Sequence, residues 1–416
     1  MTVHDTPRSR LLPWLVWGVG VLLFSYGWFH RVAPGVMVDT LMREFAMGGV
    51  VLGNLSAIYF YAYGIGQIPA GLIVDAYGSR RILFVSALCC AIGSVVFAHA
   101  SGIASAYAGR LLVGLGAGST FVIALNLAAV WFPRKRLAML SGLTLSFGVA
   151  GSMAGQVPLA WGVEAFGWRS SMYSAAVIAA VLCVASWLIL RLPEPGLRPV
   201  AGAANPAGGF LSVLKRRDTW VLTVAGGCTM MIMLTFGGLW GVPWLVQIHG
   251  FSRPDAAFAI TLNALGWGLG SPLIGGLSDR LGRRRLPYVG AMVLSVAAFA
   301  ALVFAPDLSA LEIKMLLFAQ GLGTGGVVLI FTSAHERFAG GREGLSAGII
   351  NTGIMVGAAT LQPAVGWVLD RNWHGAMAHG ARVYDAAAYQ GGFLLLLAGG
   401  MGAVIAGLMM PETARR

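Results

Sequence analysis

Long apolar stretches alternate with short polar, mostly basic ones along the whole chain. A membrane crossing needs roughly 20 apolar residues. Twelve stretches reach that length, at about 12–38, 50–74, 82–100, 103–132, 137–160, 171–191, 219–247, 255–277, 287–305, 309–335, 344–366 and 388–410. Residues 192–218, between the sixth and the seventh, are rich in Pro, Gly and Ala and end in Lys215-Arg216-Arg217. The pattern predicts an all-α membrane protein of twelve transmembrane helices in two six-helix bundles. The expected organisation is an N-terminal bundle over 1–191, a cytoplasmic linker over 192–218 and a C-terminal bundle over 219–416.

The basic residues give that pattern a direction. Arg8 and Arg10 precede span 1, and Arg80 and Arg81 lie between spans 2 and 3. Arg134, Lys135 and Arg136 separate spans 4 and 5, and Arg191, Arg198, Lys215, Arg216 and Arg217 separate spans 6 and 7. Arg280, Arg283, Arg284 and Arg285 follow span 8, Arg337 and Arg342 follow span 10, and Arg415 and Arg416 end the chain. These positions hold 20 of the 28 Lys and Arg, all on one side. Basic loops stay in the cytoplasm. The expectation is a multi-pass protein of the cell inner membrane with both termini cytoplasmic, which needs an even number of spans.

Composition agrees. The chain has 416 residues, 57% hydrophobic and only 11% charged, where soluble domains carry about a quarter. Lipid must be the solvent for much of this surface. The net charge of +12 is a topology signal and is not read as nucleic-acid binding. The four cysteines lie in apolar runs without zinc-ligand spacing and read as small buried hydrophobes. The apolar run from Leu11 has no small-residue cleavage site after it and reads as the first span rather than a signal peptide.

The halves repeat one another. Gly71-Leu-Ile-Val-Asp75-Ala-Tyr-Gly78-Ser-Arg80-Arg81 returns 204 residues later as Gly275-Gly-Leu-Ser-Asp279-Arg-Leu-Gly282-Arg283-Arg284-Arg285. Trp131-Phe-Pro-Arg134 after span 4 matches Glu336-Arg-Phe338 after span 10. Pro158 and Pro363 fall at like positions, as do Leu192-Pro-Glu194 and Met410-Pro-Glu412. Facing repeats around a central cavity are how many secondary transporters are built.

On these motifs the chain resembles the major facilitator superfamily over its whole length. The doubled Gly-x-x-x-Asp-x-x-Gly-x-Arg-Arg loop looks like that family's best-known signature, and Arg110-Leu-Leu-Val-Gly114-Leu-Gly116-Ala-Gly118 in span 4 looks like its second. The first loop departs from the pattern at Ala76, where Arg280 stands in the second copy. The resemblance implies alternating access. It assigns gating to Asp75, Arg80, Arg81, Asp279, Arg283 and Arg284, whose carboxylates can meet a helix N-terminus or an arginine at the cytoplasmic side. Topology alone also accounts for the loop arginines. The same resemblance gives Arg110 a part in coupling or in a buried network, and the glycines after it a packing role.

Charge inside a span is costly and marks function by default. Arg31, about two-thirds of the way across span 1, offers a donor fork suited to carboxylate or phosphate. Trp28-Phe-His-Arg-Val is similar to the span-1 segment of organic-anion and sugar-phosphate branches of the superfamily, with His30 where an Asp often stands. Capping of carbonyls at the break made by Pro34 is the other reading of Arg31. His30 is a candidate for both substrate contact and the coupling proton; a neutral hydrogen-bonding role is the alternative. No Asp or Glu lies clearly at mid-depth. Tyr59, Tyr63 and Gln67 share a face of span 2, Asn263 and Trp267 one of span 8, and Gln320 and Thr324 one of span 10. Asn126 in span 4, Gln156 in span 5, and Asn351 and Gln362 in span 11 are single polar groups. All are candidate cavity linings, and an interhelical hydrogen bond explains any one of them equally. With no charge in span 7, a double-arginine phosphate clamp is not expected.

No phosphate-cradling Gly-x-x-x-x-Gly-Lys loop, metal cluster or Ser/His/Asp arrangement is present. The expectation is a transporter and no enzyme, without catalytic residues, metal or cofactor. It moves a small solute, foremost an organic anion, with a proton as coupling ion, and works in the lipid bilayer as a monomer. One alternative is a proton-driven drug or metabolite exporter. It calls for an acidic residue deep in span 1 or 4 and a Gly-Pro pair in span 5, where this chain has Gly148, Gly151 and Gly155 with Pro158 three residues later. The other is a non-transporting membrane sensor or assembly factor.

Overall fold

The computed structural model describes residues 7–133, 136–190, 212–338 and 343–413. Arg134, Lys135, Arg191, Arg198, Arg342, Arg415, Arg416 and residues 192–211 of the expected linker, including Leu192-Pro-Glu194, lie outside the described residues. So do the side chains of Arg8, Arg10 and Asp75.

Among the described residues, eleven helical stretches are long and apolar enough to cross a membrane. One of them, Met139–Ile189, runs for 51 residues, enough for two crossings at about 1.5 Å per residue. Gly167, at φ +80°, turns the chain within it. This φ suits glycine alone, and it divides the stretch into spans 5 and 6. The fold is therefore the expected one, twelve crossings in two six-helix bundles.

Spans 2, 3, 8, 9, 11 and 12 keep close to their expected bounds, as Gly49–Tyr77, Ser79–Ala98, Arg253–Leu281, Arg285–Phe304, Glu343–Arg371 and Ala386–Met409, whereas the helix of span 1 is Pro7–Val32 and gives way to a 3-10 turn over Ala33–Val36, at Pro34, and a short helix over Val38–Glu44. Span 4 bends at Ser119 between Ile103–Gly118 and Thr120–Trp131, and span 10 bends at Gly325 and Gly326 between Ala310–Thr324 and Val327–Arg337. Span 7 begins as Arg217–Ile232, widens into a π-helix over Met233–Trp240 and ends as Gly241–His249. Polar caps mark several entries. Ser252 accepts from the Asp255 amide, Asp385 accepts from the Ala388 amide, and Ser309 and Glu312 form a reciprocal capping box.

Glycine lets the helices of each bundle meet backbone to backbone. A Cβ at Gly114 would lie 2.5 Å from Tyr59 O on span 2, and one at Gly116 would lie 2.6 Å from Ser86 O on span 3. This is the packing that the span-4 glycines imply.

For orientation, the face carrying the loops between spans 2 and 3 and between spans 8 and 9 is called here the linker face. At the opposite face the bundles touch. A Cβ at Gly53 would lie 2.6 Å from Gln362 O and Pro363 Cα, and one at Gly35 would lie 3.0 Å from Gly238 O. A two-stranded hairpin, β1 (Met377–Ala378) and β2 (Ala381–Arg382), joins spans 11 and 12 there. Its turn carries positive φ at both His379 and Gly380, the backbone twist of tight hairpins. This hairpin is not foreseen by the sequence pattern.

Candidate functional site

Midway between the bundles, Arg31 lies against aromatic faces. Its guanidinium carbon is 4.2 Å from the centre of the Trp28 ring and 4.5 Å from that of Tyr63. Trp28 stacks at 5.4 Å on Trp267 of span 8, so the cluster reaches from one bundle to the other. Arg31 is only 4% exposed. Among the described residues no carboxylate lies within 4.0 Å of it.

The π-helix of span 7 completes the centre. Its wider ring displaces carbonyls from the usual helical bonding, and side chains from both bundles meet them. Gln156 Nε2 donates to Gly237 O at 3.1 Å, and Gln362 Nε2 to Leu234 O at 2.9 Å. Trp240 Nε1 donates to Gln362 O at 3.0 Å. A cavity of about 20 Å³ remains among Trp28, Gln156, Met233, Gly237 and Asn263, the room of about one water. The centre is nearly closed, yet Arg31 Nε, Trp28 Nε1, Trp267 Nε1, Thr235 Oγ1 and the Oε1 atoms of Gln156 and Gln362 are buried without a hydrogen-bond partner. Buried polar atoms are nearly always partnered, and among the described residues six of the eleven exceptions belong to side chains of this central group.

Other candidates stand elsewhere. His30, one residue from Arg31, points into its own bundle. Its ring lies 4.6 Å from that of Tyr26, and Nε2 is 3.4 Å from Ser94 Oγ on span 3. Arg110, 1% exposed, donates to His30 O at 2.7 Å, Ser56 O at 3.3 Å and Leu55 O at 3.4 Å. It thus fastens span 4 to spans 1 and 2. Tyr59 donates to Gly27 O at 2.8 Å inside the same bundle. Asn126 accepts from Ser79 Oγ near the linker face. Asn263 reaches the central cavity and donates to Gln320 Oε1, while Gln320 Nε2 is bonded to Ser295 and Thr324 within the C-terminal bundle. Gln67 and Asn351 meet across the bundles at 2.6 Å. The structure therefore brings together Arg31, Tyr63, Trp267 and Asn263 around Trp28, with Gln67 and Asn351 as a second cross-bundle pair.

At the linker face Arg284 bridges Asp279 at 2.5 Å and Glu336 at 2.7 Å, and Thr413 donates to Glu336. The hydrogen bond to Glu336 raises the Arg284 pKa above the ordinary arginine value. Arg80 donates to Ile189 O at the end of span 6. These bonds stay within one bundle. Arg81 and Arg283 are exposed.

Cross-bundle carboxylate contacts lie at the opposite face. Asp370, at the end of span 11, accepts from the Gly49 and Val50 amides that open span 2, at 2.8 and 2.9 Å. It also takes Arg382 at 2.9 Å and the Tyr384 hydroxyl at 2.7 Å. Arg253 pairs with Asp39 across the bundles at 2.6 Å. Desolvation, followed by the bond to Asp370, raises the Tyr384 pKa. Sequence reading missed this cluster. A carboxylate just after a span looks like any loop residue, and only the fold sets it on another helix's N-terminus.

Two bundles joined at a polar, near-closed centre, with cross-bundle contacts at one face, have the architecture of a membrane transporter. The sequence model of the Major Facilitator Superfamily matches residues 18–361 and 228–415, and the chain belongs to that family. A probable galactarate/D-glucarate transporter of Bacillus subtilis is 26% identical over 411 residues, covering 89% of this chain and 88% of that one. A probable sulfoacetate transporter of Cupriavidus necator is 24% identical over 387 residues, covering 86% and 87%. A bacterial homologue of the human lysosomal transporter Spinster, solved in an inward-facing and occupied conformation, superposes with a TM-score of 0.74 at 16% identity, covering 98% and 97%; that likeness is one of fold. The chain is a transporter and not an enzyme.

Proposed function

We propose that this transporter carries a small organic anion bearing one or more carboxylates, with Arg31 as the group that holds the charge. The observation that carries the reading is Arg31 itself. It is a buried guanidinium where the bundles meet, held by aromatic faces and facing no carboxylate among the described residues. Leaving such a charge uncompensated is expensive, and an anionic substrate supplies the missing partner. Trp28 and Trp267 give the ligand apolar walls, and Gln156 and Gln362 give it amide oxygens for hydroxyl groups. Relatives with galactarate, D-glucarate and sulfoacetate in their names support the class.

In this reading the bundles 1–191 and 219–416 rock about the centre, joined by the linker 192–218. The linker face and both termini lie in the cytoplasm of a cell whose inner membrane holds the protein as a monomer. Transport is uptake coupled to a proton, with His30 as the coupling group beside Arg31. The observation favouring His30 is its imidazole, buried with Nδ1 lacking a hydrogen-bond partner and Nε2 3.4 Å from Ser94 Oγ on span 3.

A thermal-shift screen of purified protein against dicarboxylates, sugar phosphates, amino acids and cationic lipophiles tests the reading. Stabilisation by a dicarboxylate that vanishes in Arg31→Ala supports it. Stabilisation only by cations, indifferent to Arg31→Ala, overturns it and puts the exporter in its place.

A further inference from the structure

A second chamber, of about 210 Å³, lies at the opposite face between the bundles. That is about ten times the volume left at the centre, room for one small dicarboxylate. From the N-terminal bundle it is lined by Asp39 and Arg43, and from the C-terminal bundle by Arg253 and by His379 and Arg382 of the hairpin. Three arginines thus face a single lining carboxylate, Asp39. Arg253 is bound to Asp39 across the bundles at 2.6 Å, with Asp39 still 45% exposed. Arg382 is bound to Asp370, the residue that caps span 2. Arg43 is exposed, rests its alkyl stem against Gly380, and makes no ion pair among the described residues. The neighbouring Glu44 turns away to Arg169 and Trp168.

We propose that this chamber is an anion-capture site for a small organic dianion and that filling it loosens the seal of the opposite face. One carboxylate sits on Arg43. The other reaches Arg253 and competes with Asp39 for the donor fork, a geometry that arginine offers to any carboxylate. Each contact made to Arg253 by the ligand is one taken from the pair that ties the bundles together. The same charges draw anions to the mouth before any reach the centre, an effect that salt screens. The proposal rests on the organic-anion reading above and adds a separate place for the ligand.

Equilibrium binding of D-glucarate and of succinate to the purified full chain tests it, in wild type, Arg43→Gln, Asp39→Asn and Arg31→Gln. Of the two chamber variants, Arg43→Gln changes an exposed residue and Asp39→Asn a half-exposed one. Arg43→Gln is expected to weaken binding about fivefold, the scale of one partly exposed ion pair. Asp39→Asn removes the competitor and is expected to tighten it by a similar factor, which a merely structural role of Asp39 would not do. Both changes should persist in the Arg31→Gln background. Binding untouched by Arg43→Gln and Asp39→Asn but lost in Arg31→Gln overturns the chamber and leaves the central site standing. Binding of neither diacid to any variant overturns both.

Discussion

At the opposite face carboxylates hold one bundle to the other, whereas at the linker face the described carboxylates hold the C-terminal bundle to itself. Asp370 sits on the span-2 amides and Asp39 on Arg253, both across the bundles. Asp279 and Glu336 share Arg284, and Asp218 takes Arg337, all within the C-terminal bundle. The chemistry is alike on the two faces, and only the placement differs. In this conformation the bonds that must break to open the opposite face are thus few and identifiable. In the second of the repeated loops Arg284 ties Asp279 to Glu336 of span 10, a brace within the C-terminal bundle.

That contrast can be broken at several points. The largest effect is expected at the centre between the faces: Arg31→Ala should cut dicarboxylate uptake in proteoliposomes at least ~100-fold, the cost of leaving a buried anion without its charge-assisted partner. Arg31→Lys should rescue little, because a point charge does not reproduce the fork.

Next comes the seal. Gly53→Val would press a side chain on the Pro363 backbone, where even a Cβ would stand 2.6 Å away. Overpacking of that kind costs about 1–3 kcal/mol. Spin labels on the exposed residues Phe166, in the turn between spans 5 and 6, and Arg371 should then report a wider, mostly open opposite face. Asp370→Asn should act in the same direction and more mildly. The amide keeps one acceptor oxygen for the span-2 amides and loses the charge that Arg382 meets, a net loss of about 1.4 kcal/mol, so about a tenfold shift toward the open form is expected in the same measurement.

The smallest effect belongs to the linker face. Arg284→Gln should lower the apparent Tm by a few degrees, for a loss of about 1 kcal/mol in a half-exposed network, with the opposite-face distances unchanged. A large change in those distances would show that the loops act across the bundles after all. The stabilisation from Arg284 should be flat across neutral pH. Its folded pKa is raised, so the contribution is complete below the ordinary arginine value and is lost only as pH rises through the folded one.

Hydropathy and the doubled loop made the fold legible, because a bilayer forces apolar runs of one length and a repeat shows itself by spacing. Gly167, one residue with left-handed φ, is all that separates spans 5 and 6, and the sequence still marked the division by the charged and polar residues around it. The site was legible in part. Arg31 stands out as a charge within a span, and span-wise periodicity singles out Tyr63, Trp267 and Asn263, which stand beside Arg31 and Trp28 in the structure. Periodicity does not fix which way a helix is turned, so His30, Tyr59 and Gln320 were grouped with the lining, while the structure sets them against partners in their own bundles. The π-helix of span 7 gave no pattern beyond Gly237-Gly238 in an apolar run. Asp370, Asp39 and Arg253 gave none, because their meaning comes from a partner hundreds of residues away.

The central claim is that Arg31 is the charge on which an organic anion is carried between the two faces. Counterflow of labelled D-glucarate in proteoliposomes, wild type against Arg31→Ala at equal protein density, tests it most directly. The account predicts rapid exchange for wild type and none above empty vesicles for the variant. Equal exchange by both would contradict it.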